Sequence, residues 1–168
     1  MAKFIKQKNR DYYNYTDGSK VEKRLLKLSK SPYLKANNLS WPEYVHISED
    51  RAFFYEDLLS CFDNPNVLEI GCGCGAVTRK IAKYCSRLDA IESSFIRSKI
   101  AYGFCSKFKN VNIYNGLIQD FNANNKYDFV ILNGVLEYAE LFINKKTKIK
   151  KSGAKELIKK CINLLAPS

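Results

Sequence analysis

From residue 66 onward the apolar positions switch between two periods. Short runs that read as strands are Val67-Leu68-Glu69-Ile70, Leu88-Asp89-Ala90-Ile91-Glu92, Val111 to Tyr114 and Tyr127 to Asn133. Between and after them lie stretches with apolar residues at helical spacing: Val77 to Tyr84, Phe95 to Phe108 and Gly153 to Leu165. Alternation of this kind predicts parallel βαβ units with right-handed crossovers, hence an open three-layer α/β sheet. The run Tyr127 to Asn133 is apolar on both faces, which predicts a place in the middle of the sheet.

The chain before this region has a different texture. Residues 1–47 are polar and tyrosine-rich (Tyr12, Tyr13, Tyr15), and Pro32 and Pro42 interrupt any long helix. Val21 to Leu28 carries one short helical pattern, so residues 1–47 read as a partly helical N-terminal extension. A second helix is predicted to start at Ser48, which opens a domain spanning 48–168. Ser48 supplies a hydroxyl cap, Glu49 and Asp50 fill the first turn, and Phe53, Phe54, Leu58 and Leu59 are assigned to one face.

Composition narrows the class. The 168 residues are 46% hydrophobic and 13% aromatic, enough for a packed core and too much for a wholly disordered chain. No apolar run reaches bilayer length and no signal-peptide core opens the chain, so a cytoplasmic protein is expected. The cysteines at 61, 72, 74, 85, 105 and 161 lack Cys-x-x-Cys pairing, and His46 is the only histidine. That pattern predicts buried free thiols and no metal site. Lys+Arg 28 against Asp+Glu 17 gives a net charge of +11, which suits nucleic acid. The excess is Lys, however, and travels with Asn and Ile, as a base-composition bias toward A and T would produce on any surface. The Lys145–Lys151 run reads as a solvated loop and helix start, so nucleic acid is not the expected partner.

The chemistry concentrates in Glu69-Ile70-Gly71-Cys72-Gly73-Cys74-Gly75-Ala76. Glycines between a strand end and a helix start let the backbone approach a ligand closely. The spacing also fits a dinucleotide pattern loosely, with Ala76 in the sixth position. Glu69 separates the two. A carboxylate about 4 Å from a pyrophosphate would cost about 4 kcal/mol at an effective dielectric of 20. The same carboxylate suits a ligand carrying an ammonium and a sulfonium, which is S-adenosyl-L-methionine. Glu92 ends the next strand, where an acid takes both hydroxyls of an adenosine ribose.

At these residues the chain resembles the class I S-adenosylmethionine-dependent methyltransferases, over about Asn66 to Ser168. Val67 to Gly75 matches their first motif, Glu92 the ribose acid, and Tyr127-Asp128-Phe129-Val130 the strand before the catalytic loop. Asn133-Gly134-Val135-Leu136-Glu137-Tyr138-Ala139, with His46-Ile47-Ser48 and Arg51, is similar to methyltransferase domains that accompany glycosyltransferases in bacterial surface-polysaccharide synthesis. The resemblance implies a Rossmann-like sheet of about four strands, ordered 3-2-1-4 in this chain, with flanking helices. It implies that Glu69, Gly71, Cys72, Gly73 and Gly75 hold the methionine end and Glu92 the ribose. Adenine would lie against Ser93 and near Asn115 to Asp120; spacing leaves open whether Asn115 or Asp120 meets the exocyclic amine. Asn133 and Gly134 would line the floor beside the methyl group.

An activated sulfonium needs mainly alignment, although an oxygen acceptor would gain from a base. Glu137, Tyr138 and His46 are the candidates; packing serves Tyr138, and a satisfied ring at the helix start serves His46, equally well. The expected substrate is a small-molecule or glycan acceptor. The adenine dimethyltransferases of ribosomal RNA are the alternative, but they follow the fourth strand with Asn-hydrophobic-Pro-aromatic. Asn133-Gly134-Val135-Leu136 has neither the proline nor the aromatic. The family sheet has seven strands, and this sequence reaches only Leu164-Leu165-Ala166-Pro167-Ser168, where the turn into the fifth should begin. A truncated chain is therefore expected, either inactive as a cofactor-binding fragment or completed by a further segment. Its fourth strand would leave an open edge for self-association, for the missing C-terminal segment or for a glycosyltransferase partner.

Overall fold

The computed structural model describes residues 1–6, 44–136, 139 and 153–167, with residues 44–50 as helix only. The helix predicted over 21–28 and the lysine run lie outside the described residues. The elements are β1 (Lys3–Lys6), α1 (Tyr44–Ser60), β2 (Asn66–Ile70), α2 (Ala76–Ile81), β3 (Arg87–Glu92), α3 (Phe95–Cys105), β4 (Val111–Asn115), β5 (Phe129–Leu132) and α4 (Gly153–Leu164). Single 3-10 turns follow α2 at Ala82–Tyr84 and β4 at Ile118–Asp120.

All strand pairings are parallel, in the order β1-β4-β3-β2-β5. The four predicted strands thus take their predicted order, and the sheet has five strands rather than four. The added strand is Lys3-Phe4-Ile5-Lys6, which pairs with Asn112 to Asn115. Its alternation of lysine and apolar residues is too short to register as a strand alone. Tertiary contacts hold it: the Phe4 ring meets Phe95 and Tyr102 edge-on, and Lys99 Nζ lies over it at 4.5 Å.

The sheet divides two cores. Val67, Ala90, Val111, Ile113 and Ile131 pack with α1, α2 and α3, while Leu68, Ile70, Ile91 and Tyr127 pack with Leu157, Cys161 and Leu164 of α4. Successive strand residues therefore serve opposite layers, as the period of two requires. Of the six free cysteines five are buried, and Cys61 is exposed.

Two sequence readings of the first long helix need correction. α1 starts at Tyr44, so Ser48 is not its cap and the boundary at 48 falls inside the helix. Ala52, Leu59 and the partly buried Tyr55 carry its packed stripe, whereas Phe53, Phe54 and Leu58 are exposed. Residues 52, 55 and 59 follow helical spacing, and the aromatic pair at 53 and 54 lies off that line. The run from Tyr127 is also not in mid-sheet among the described residues: β5 closes the strand order. Beyond it, Tyr127 N–H donates to Leu164 O at 2.9 Å and Ala166 N–H to Tyr127 O at 2.8 Å, which forms a parallel bridge with Leu165.

A buried polar knot ties the strands below the site. Asp89, fully buried, accepts from Arg87 at 2.6 Å, from Asn112 at 2.7 Å and from the Tyr127 hydroxyl. One carboxylate with three donors links β3, β4 and the residue leading into β5, which satisfies a charge that would otherwise be costly to bury.

Candidate functional site

The C-terminal ends of β2, β3, β4 and β5 converge on one rim, where ligands bind in open α/β sheets. After β2 the chain turns through Gly71 (φ 77°), Gly73 (φ 55°) and Gly75 (φ 85°), left-handed values that favour glycine. Their surroundings differ. A Cβ on Gly71 would collide with Val135 Cγ2, and one on Gly75 would sit 3.0 Å from Ala101 Cα. At Gly73 a Cβ would meet nothing within 4 Å. The outer two glycines are therefore packed against protein, while the middle one borders open space.

The loop is tied to the end of β3. Gly71 N–H and Cys72 N–H both donate to Ile91 O, at 2.8 and 3.1 Å. Gly73 N–H donates to Glu92 Oε2 at 2.9 Å, and Ser94 N–H to Glu92 Oε1 at 2.7 Å. The Ser93 hydroxyl is 3.4 Å from the same oxygen. Glu92 thus braces the glycine loop to the start of α3.

Glu69 lies beneath the loop on the α2 side, only 2% exposed, and accepts from the Thr78 hydroxyl at 2.6 Å. Burial pushes its carboxyl up to about 7; the Thr78 hydrogen bond opposes this and the nearby Glu92 adds to it. Burial also pushes the Cys72 thiol well up, away from its thiolate form.

Asn115 ends β4 beside Glu92, and its Nδ2 donates to Glu92 O at 3.1 Å and Ser93 O at 3.2 Å. Its Oδ1 is buried with no hydrogen-bond partner. Asp120 ends the 3-10 turn that follows β4, where its charge acts on Lys160 of α4. At the end of β5, Asn133 Oδ1 accepts from the Tyr55 hydroxyl at 2.9 Å, its Nδ2 is buried without a partner, and Gly134 (φ 62°) is exposed. The structure therefore gathers Glu69, Gly71, Cys72, Gly73, Gly75, Glu92, Ser93, Asn115 and Asn133 on one rim. Glu137, Tyr138 and the His46 side chain lie outside the described residues.

Two side chains enter the site that sequence reasoning passed over. Thr78 sits nine residues after Glu69 on the buried face of α2, one turn inside a helix read only for its apolar pattern. Tyr55 belongs to the packed stripe of α1 and could have been found from the spacing of Ala52, Tyr55 and Leu59.

The chain is 31% identical over 81 residues to nodulation protein S of Sinorhizobium fredii (strain NBRC 101917 / NGR234), a match covering 45% of this chain and 35% of that protein. The chain thus spans about a third of the curated relative it matches. The crystal structure of N-methyltransferase NodS from Bradyrhizobium japonicum WM9 in complex with S-adenosyl-l-homocysteine superposes with a TM-score of 0.63 at 20% identity. It covers 88% of this chain and 68% of its own. CalS10, an amino pentose methyltransferase from Micromonospora echinaspora, superposes with a TM-score of 0.55 at 17% identity, over 71% of this chain and 47% of its own. These likenesses establish the methyltransferase variety of the Rossmann-like fold. The family model for Nodulation protein S (NodS) matches residues 56–167, from the second half of α1 through α4, and the chain belongs to that family.

Proposed function

We propose that this chain binds S-adenosylmethionine and methylates an amine nitrogen of an amino sugar, free or within a saccharide-linked precursor of surface polysaccharide. The observation that carries the cofactor reading is Glu69, a buried carboxyl beneath a glycine loop whose middle residue borders open space. A pyrophosphate above Glu69 would leave the carboxyl protonated and gain nothing from its charge, whereas an ammonium would hold it ionised and gain from it. The residues fit the rest of the ligand. Glu92 is the acid that ends β3 beside the loop and is proposed to meet the ribose hydroxyls, and Asn115 Oδ1 is a buried acceptor suited to an exocyclic amine. The choice of an amino sugar draws support from family membership, from NodS being an N-methyltransferase and from CalS10 being an amino pentose methyltransferase.

Bound S-adenosylmethionine supplies a methyl group on a sulfonium that is already a good leaving group. What the chain contributes is placement: Gly73 leaves room, Glu69 and Glu92 fix two ends of the ligand, and Asn133 and Gly134 border the acceptor side. An amine attacks only as the free base, so a group that accepts its proton would raise the rate near neutral pH. Glu137, Tyr138 and His46 are the proposed sources of that base.

Side-by-side calorimetric titration tests the cofactor reading. S-adenosylhomocysteine is expected to bind and NAD to bind more weakly or not at all; tighter binding of NAD would overturn it. For the acceptor, mass spectrometry should show one methyl increment on an amino sugar and none on its N-acetylated counterpart. Equal methylation of both would point to oxygen as the acceptor atom.

A further inference from the structure

Tyr55 belongs to neither the glycine loop nor a strand, yet its hydroxyl crosses from α1 to donate to Asn133 Oδ1 at 2.9 Å. With the oxygen engaged, the nitrogen is left as a pure donor. Among the described residues Asn133 Nδ2 is buried with no hydrogen-bond partner, a condition that buried amides rarely keep unless a ligand or an ordered water relieves it. The residue stands at the glycine loop: its backbone oxygen is 3.8 Å from the position a Gly71 Cβ would take, and Val135, two residues on, blocks that Cβ. The Tyr55 hydroxyl also feels the charges of both Glu69 and Arg51. An acid and a guanidinium thus both act on this hydroxyl, a pairing that suits an amino-acid zwitterion better than either charge alone.

We infer that Tyr55 is a positioning residue, holding the Asn133 carboxamide so that Nδ2 serves as donor to the carboxylate at the amino-acid end of the cofactor. This rests on the S-adenosylmethionine reading above. The other partners fit less well. An ammonium or sulfonium would be repelled by an N–H donor, and a donor aimed at the acceptor amine would occupy the lone pair that attacks. Only an oxygen with negative charge gains fully from a buried N–H at this corner.

The test compares two probes on the whole chain: S-adenosylhomocysteine, which has the amino-acid end, and 5′-methylthioadenosine, which lacks it. Tyr55→Phe should weaken S-adenosylhomocysteine about tenfold, the scale of one hydrogen bond to a charged group, and leave 5′-methylthioadenosine within about twofold. Asn133→Asp keeps an acceptor for Tyr55 but replaces the donor with a like charge. It should weaken S-adenosylhomocysteine more than Asn133→Ala does, again sparing 5′-methylthioadenosine. Retained binding of the shorter probe also shows that each variant is folded. Unchanged S-adenosylhomocysteine affinity in Tyr55→Phe, or equal losses with both probes, would overturn the inference and leave the cofactor reading standing. A wild-type chain that bound neither probe would overturn both.

Discussion

Glu69 is held at the boundary between its two protonation states, with a carboxyl pushed up to about 7 from the ordinary 4.5. The sign follows from proton counting. Between those values the folded chain binds more protons than the unfolded one, so stability falls as pH rises. Below the unfolded value there is no cost; above about 7 the cost is complete, about 3 kcal/mol for a shift of this size. Glu69→Gln keeps an acceptor for Thr78 and removes the ionisation. Urea unfolding at about pH 5 and about pH 8 should show a loss of stability in the wild type that the variant lacks. Equal losses in both would mean that the carboxyl is not desolvated as its burial implies. Sequence alone placed Glu69 at the loop, but its protonation depends on Thr78, Glu92 and the layer of helices above it. None of these follows from the motif.

At the scale of the element, the glycine loop separates stability from binding. Gly75 combines a φ of 85° with a Cβ position 3.0 Å from Ala101 Cα and 3.1 Å from Ala101 Cβ. Gly75→Ala should therefore destabilise by about 2–4 kcal/mol, from left-handed strain plus overpacking against α3. Gly73 has a φ of 55° and open space around it, so a side chain there adds about 1–2 kcal/mol of left-handed strain but no clash with the protein, and its bulk meets the ligand. Gly73→Val should abolish S-adenosylhomocysteine binding while circular dichroism reports unchanged secondary structure. Normal binding by that variant would show that this loop does not cradle the ligand. The loop, its strand and its helix were legible because all three are contiguous in the chain. The roll of α1 was not, since Phe53 and Phe54 outweigh Ala52 in apolar character, yet only the helix's position against the sheet decides which side is buried.

At the scale of the molecule, the sheet has two ends of unlike character. At one, β1 covers β4 with an edge that carries Lys3 and Lys6, a charged pattern that discourages further pairing. At the other, β5 is paired on one side by β2, and beyond it the described residues supply only the bridge at Leu165. Exposed apolar side chains lie on both neighbouring helices: Phe54 and Leu58 on α1, Ile158 and Ile162 on α4. We expect the 168-residue chain to self-associate through this edge, opposed by its net charge of +11. Sedimentation velocity should show a mass that rises with concentration, and more steeply at high salt, where the repulsion is screened. A monomer at every concentration and salt would exclude association through β5. The open parallel sheet was readable from the βαβ alternation, and its order from the family resemblance; the extra strand was not, because four residues carry too little periodicity to announce a partner more than a hundred positions away.

The sequence by itself determined the alternation of strands and helices, the position of the glycine loop and the two acids Glu69 and Glu92. Each of these is encoded within a window of a few residues, where periodicity, backbone permissiveness and charge act locally. Only the tertiary structure decided that Glu92 would brace Gly73 across 19 positions, that Asn115 would reach Ser93 across 22, and that Tyr55 would meet Asn133 across 78. Contacts of that range depend on strand order, on helix roll and on which layer each strand face serves. Those are set by the simultaneous burial of many side chains, and no single stretch of the chain contains them.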